Sequence, residues 1–173
     1  MYYSSYKKYD VLNGVGLRHS LFVSGCTHYC KGCFNKRAWD FTYGEVFTEE
    51  MQDQIIKDIN NSEIHIKGLS VLGGEPFDNV LELYPFIEKF KTKCVNKDLW
   101  IWSGYTFEEI VTDDLKKNLL TFADVLIDGR YMEEKRDLTL KFRGSSNQRV
   151  IDVQKTLSQN KIVLLYKESF QSF

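Results

Sequence analysis

Apolar residues in this chain follow two patterns: short runs broken by at most one polar residue, and longer stretches where they recur every three or four positions. The runs Leu21-Phe22-Val23, Leu69 to Leu72, Leu99 to Trp102 and Ala123 to Ile127 are too short for helices, and each stops at Gly, Ser or Asp. They predict four buried strands. Helical stripes lie between them. Thr48 can cap a helix with Glu49 and Glu50 in its first turn and Met51, Ile55 and Ile59 on one buried face, ended by Asn60-Asn61-Ser62. Asp78 is a plausible cap for a helix reaching about Lys93, with Leu83, Ile87 and Phe90 on one face. Pro85 falls inside it and should kink it or reset its start. Thr106-Phe107-Glu108-Glu109 is a capping-box pattern opening a helix that carries Ile110, Val111, Leu115 and Leu119.

This alternation of strand and helix argues for an α/β fold with right-handed crossovers and a mainly parallel sheet, and four or five such units are too few to close an eight-strand barrel. The two ends of the chain depart from the pattern. Residues 1–12 are tyrosine-rich and polar, with Val11-Leu12 the first apolar pair, and predict an N-terminal arm or edge strand. Asn13-Gly14 marks a turn, and Gly14-Val15-Gly16 stops short of a nucleotide-binding glycine loop, with no helical pattern after it. Beyond Arg130 comes the charged connector Glu133 to Asp137, then Leu138, Leu140 and Phe142 in alternation, then Arg143 to Arg149. Val150 to Val153 and Ile162 to Tyr166 predict the last strands, and residues 167–173 should fray.

Composition narrows the class. A chain of 173 residues can bury a real core as a single domain. A formal charge of -1, with no run of Lys or Arg, provides no electrostatic pull toward nucleic acid. No apolar stretch approaches the roughly 18 residues of a membrane span, and Met1 to Tyr6 lacks the apolar core of a signal peptide, so a cytoplasmic location is expected.

Three of the four cysteines, Cys26, Cys30 and Cys33, fall within eight residues directly after the first strand. In a reducing cytosol such a cluster points to metal rather than to disulfides. A closed zinc site needs four ligands, whereas a cubane held by three thiolates keeps one iron open. A zinc set completed by His28 or Cys94 is the alternative; His28 reads more simply as an exposed loop residue and Cys94 as a buried or idle thiol.

The spacing C-x3-C-x2-C resembles the cluster loop of the radical S-adenosylmethionine (SAM) superfamily, and Gly73-Gly74-Glu75-Pro76 at the end of the second strand looks like its second motif. Within that superfamily the chain most resembles the activating proteins of anaerobic, class III ribonucleotide reductases, over about Asn13 to Tyr166 and with Lys141 to Arg149 as the most distinguishing segment. The resemblance implies a partial, open (β/α) barrel of about six mainly parallel strands. It implies a [4Fe–4S] cluster on Cys26, Cys30 and Cys33, with SAM on the fourth iron. SAM would lie against Gly32, Cys33, Phe34, Gly73, Gly74, Glu75 and Pro76, with Glu75 at its amino end and Ser103, Asp128 and Arg130 as ribose contacts. The implied activity is reductive cleavage of SAM to a 5′-deoxyadenosyl radical that takes hydrogen from a reductase glycine. The implied partners are that reductase and a reducing donor such as flavodoxin or ferredoxin. Other small radical SAM enzymes, and a non-catalytic Fe–S or zinc module, are the alternatives. Phe34 and Trp39 read equally as core, and Arg143 to Arg149 reads equally as docking surface, pocket wall or tight turn.

Overall fold

The computed structural model describes residues 1–166; the fraying expected for 167–173 lies outside the described residues. In chain order the elements are β1 (Tyr2–Asp10), β2 (Arg18–Val23), β3 (Glu45–Val46), α1 (Glu49–Asn60), β4 (Gly68–Gly73), α2 (Val80–Lys93), β5 (Asp98–Trp102), α3 (Phe107–Ile110), α4 (Asp114–Leu120), β6 (Val125–Asp128), β7 (Arg149–Asp152) and α5 (Val153–Gln159). The strands form one open sheet in the order β3-β1-β2-β4-β5-β6-β7. Its four central strands, β2, β4, β5 and β6, run parallel, and β3, β1 and β7 add antiparallel to the two sides.

The faces of the sheet differ. Leu21, Val23, Leu69, Val71, Leu99, Ile101, Leu126 and Ile151 share one core with Ile55, Ile59, Leu83, Ile87, Ile110, Leu119 and Val153, so all five helices pack on that side. On α2, Leu83, Phe86, Ile87 and Phe90 are fully buried at helical spacing, worth about 1.5–3 kcal/mol each. Pro85 lies inside this helix on its exposed side, where a missing backbone donor is least costly. The other sheet face carries Trp100, Val125, Ile127 and Val150, covered by Trp102, Phe142 and Leu165. No helix among the described residues is long and apolar enough to cross a membrane.

Several local expectations change. The strand predicted at Leu21 is β2 and begins at Arg18, three residues before the apolar run, because the buried guanidinium finds partners: Ser70 Oγ at 2.8 Å, the Leu69 carbonyl at 2.9 Å and the Asp98 carboxylate. The N-terminal segment is a nine-residue strand on β2. Thr106 and Glu109 do form the capping box, but the helix stops at Ile110 and restarts at Asp114. Thr112 Oγ1 donates to the Glu109 carbonyl at 2.7 Å and Asp113 caps Leu115 and Lys116, so these side chains compete with the backbone pattern. Leu138 to Phe142 forms turns, with Phe142 left-handed at φ 64°. The strand expected at Ile162 to Tyr166 shrinks to one bridge, Ile151 to Leu164, after Asn160 ends α5 in the left-handed region.

Candidate functional site

Parallel pairing brings the motif-bearing strand ends together. Val23 lies opposite Gly73, so the cysteine loop leaving β2 and the Gly-Gly-Glu-Pro turn leaving β4 emerge side by side. Trp102 of β5 lies opposite Ile127 of β6, which sets their exit loops on the same edge. Ligands in α/β folds bind at this edge, at the carboxyl ends of parallel strands. A cavity of about 520 Å³ opens here, within the size range of small-molecule sites, and its walls include Cys26, Cys30, Cys33, Gly73, Gly74 and Glu75.

The cysteine loop is tightly built. Gly25 N donates to the Ala38 carbonyl at 2.8 Å and Cys26 N to the Trp39 carbonyl at 3.2 Å, so the 3₁₀ turn Lys36–Trp39 straps the entry of the loop. Tyr29 at φ 50° and Gly32 at φ 74° reverse the chain between the thiols, and Cys33 N closes back on the Cys30 carbonyl at 3.2 Å. Burial pushes the Cys26 thiol up to about 11, with Glu75, Asp78 and Cys30 adding to the effect and a backbone bond from His28 opposing it. Burial and the neighbouring Cys33 also raise Cys30, against the Tyr131 backbone N–H and the charge of Arg130. Burial thus favours the protonated form of both thiols, as it also does for Cys94 in the helix-side core. Among the described residues no three His, Cys, Asp or Glu side chains converge closely enough to hold a metal ion. Three thiols on one cavity wall are the donor chemistry that an iron–sulfur cluster takes.

Gly73 and Gly74 have packing reasons to be glycine. A Cβ on Gly73 would lie 2.7 Å from the Val23 carbonyl oxygen, and one on Gly74 would lie 2.4 Å from that of Gly25. Gly74 N and Glu75 N donate to those same two carbonyls, each at 2.7 Å. The two motifs are thus joined backbone to backbone.

Glu75 is fully buried and its carboxylate is saturated. Oε1 accepts from Phe77 N at 3.0 Å and Ser103 Oγ at 2.9 Å; Oε2 accepts from Gly104 N at 2.7 Å and pairs with His28 Nε2 at 3.0 Å. The expected exposed His28 is corrected: its side chain is only 3% accessible and packs edge-on to Tyr105. Asp78 does not cap α2. It accepts from Thr27 N, Thr27 Oγ1 and Tyr105 OH at 2.7–2.9 Å, while Glu75 caps the 3₁₀ turn Pro76–Asn79 that leads into α2.

The remaining candidates divide. Gly32, Phe34 and Ser103 line the cavity, with Phe34 88% exposed at the rim, while Pro76 is buried in the turn behind it. Asp128 is buried and committed to both Arg149 and Phe107 N. With Arg130 it lines a neighbouring hollow of about 420 Å³. Cys94 sits in the helix-side core, its Sγ 4.0 Å from the Ile56 carbonyl, away from the other three thiols. Tyr131 and Arg136 also line the main cavity, though no local sequence pattern marks them, together with Trp102 from a predicted strand and Gln148 from the 143–149 segment. The 143–149 segment is at once a held turn and part of the cavity wall. Gln148 Oε1 accepts from Gly144 N and Ser145 N, and its Nε2 donates to the Gly129 carbonyl.

Comparison with known proteins fits this arrangement. Residues 12–151 match a family model described as a 4Fe-4S single cluster domain. A protein of Pasteurella multocida (strain Pm70) is 45% identical over 150 residues, covering 86% of this chain and 95% of its own. One of Vibrio cholerae serotype O1 is 44% identical, covering 86% and 96%, and one of Enterobacteria phage T4 is 38% identical over 144 residues, covering 82% and 87%. All three are named anaerobic ribonucleoside-triphosphate reductase-activating protein.

Proposed function

Since the chain belongs to the family of anaerobic ribonucleoside-triphosphate reductase-activating proteins and carries a 4Fe-4S single cluster domain, we propose that it is a radical SAM enzyme that installs a glycyl radical on that reductase. The open sheet with helices on one face is, in this reading, a truncated radical SAM barrel. Cys26, Cys30 and Cys33 would hold a [4Fe–4S] cluster that, when bound, would supply the electron for reductive cleavage of SAM, and the hydrogen-abstracting species so released would act on a reductase glycine.

The chain's own residues supply the surroundings. Cys26, Cys30 and Cys33 are the cluster ligands. Gly73 and Gly74 bring bare backbone to the cavity wall, and Phe34 offers an exposed aromatic face at the rim for a purine ring. Arg130, close enough to act on the Cys30 thiol, adds positive charge beside an anionic centre. Each electron comes from an external reductant, flavodoxin or ferredoxin in a cytoplasmic setting.

The observation that carries this reading is the meeting of three thiols and the Gly-Gly-Glu turn on one cavity at the carboxyl edge of parallel strands. The test is anaerobic. Protein reconstituted with iron and sulfide, then reduced and given SAM, should release 5′-deoxyadenosine and, with the reductase added, produce a glycyl-radical EPR doublet. Cleavage of SAM without radical transfer to the reductase would point to another small radical enzyme, and no cleavage at all would overturn the proposal.

A further inference from the structure

We propose that His28 is the positioning residue of the cysteine loop, and that Glu75 acts through it as a latch instead of contacting SAM; this rests on the reading above. A carboxylate has about four good acceptor directions. Those of Glu75 are met by Phe77 N, Ser103 Oγ, Gly104 N and His28 Nε2 at 2.7–3.0 Å, in a fully buried position. No direction is left for the ammonium group of a ligand.

The His28 ring has a fitted seat. Its centroid lies 4.4 Å from that of Tyr105, and the chain passes beside it as Gly104, where a Cβ would come within 2.3 Å of His28 Cδ2. A second carboxylate repeats the arrangement one residue earlier, since Asp78 takes both the N–H and the hydroxyl of Thr27 and also Tyr105 OH. Residues 27 and 28, directly after Cys26, are therefore pinned to two carboxylates from the β4 exit. Both carboxylates also hold the β5 exit. Only Tyr29 then separates the pinned pair from Cys30, so the latch sets how far apart the first two sulfurs stand.

Three variants test this. His28→Ala removes the seated donor, His28→Gln restores an N–H donor on a flexible arm, and Glu75→Gln sets an NH2 group against either Phe77 N–H or Gly104 N–H, neither of which can turn. The variants are loaded anaerobically, and their clusters are compared by EPR before SAM is added and by resistance to a chelator. His28→Ala and Glu75→Gln should share an altered SAM-free spectrum and lose the cluster about 10–100-fold faster. His28→Gln should move both readings back toward wild type, and the double variant should be no worse than the poorer single one. In metal-free wild type, a slowly exchanging His28 Nε2–H signal should be visible by NMR, and in Glu75→Gln, where the acceptor is at best a neutral amide oxygen, it should shift and exchange faster.

A wild-type SAM-free spectrum in His28→Ala would overturn the proposal. So would a Glu75→Gln protein whose cluster is normal but whose SAM affinity falls about tenfold or more, the loss expected for a direct charged contact. Should Glu75→Gln fail to fold, the two His28 variants decide alone. Failure of the wild-type protein to cleave SAM would count against the function instead, and the metal-free NMR signal would still test the latch.

Discussion

Replacing Gly74 by Ala separates two reasons for a glycine in the Gly-Gly-Glu-Pro turn. If the residue is small to let a ligand approach, Ala should weaken SAM binding and leave the empty fold intact. The geometry gives the other reason. The added Cβ would lie 2.4 Å from the Gly25 oxygen and 2.9 Å from that of Ala38, both backbone atoms, whereas ordinary contact begins near 3.4 Å. The β4 exit and the cysteine-loop entry must therefore part by about 1 Å (3.4 − 2.4). Overpacking of this kind costs about 1–3 kcal/mol, and weakening the 2.7 Å bond from Glu75 N to that Gly25 oxygen adds about 1 kcal/mol. The sum is about 2–4 kcal/mol. For a domain of this size each kcal/mol lowers the melting temperature by about 2–4 °C, so metal-free Gly74→Ala should melt about 4–16 °C below wild type in calorimetry. A melt within about 2 °C of wild type, together with lost SAM affinity, would refute the packing argument.

Three further outcomes are expected. Cys30→Ser should abolish iron loading after anaerobic reconstitution while Cys94→Ser keeps it, read as iron bound per chain; a fall in loading with Cys94→Ser would place that thiol in the centre. Asp128→Asn should cost about 2–3 kcal/mol in urea unfolding, because the buried carboxylate loses its charge against Arg149 while Glu108 still holds the exposed side of the guanidinium. SAM affinity in that variant should stay near wild type, and a selective loss would return Asp128 to the ribose. The metal-free protein should also lose stability as pH rises from about 9 toward about 11. Burial holds the Cys94 thiol protonated up to about 11 against an ordinary 9.0, so over that window the unfolded chain has released a proton that the folded one retains. Urea midpoints across that range should fall less steeply in Cys94→Ser.

Much of the molecule can be read from residues a few positions apart. The Thr48 cap, the Thr106–Glu109 box and the Leu83, Ile87 and Phe90 stripe are all local patterns, and each appears as read; the three thiols of one short loop all reach the same cavity. Errors arise where a local pattern meets a distant competitor. Arg18 lies outside the apolar run Leu21-Phe22-Val23, yet it is interior because Ser70 and Leu69, 52 and 51 residues away, take its donors. Asp78 reads as a helix cap, yet its carboxylate goes to Thr27, 51 residues back. His28 reads as an exposed loop residue only as long as Glu75, 47 residues on, is out of view.

The sequence alone determined that three thiols would share one short loop after a strand and that a Gly-Gly-Glu turn would end another, because capping, periodicity and ligand spacing act over a single turn of chain. Only the tertiary structure decided that these two loops emerge side by side, with one buried carboxylate holding the histidine between two of the thiols. Parallel strand register sets that meeting, and it joins residues whose separation along the chain leaves no local trace.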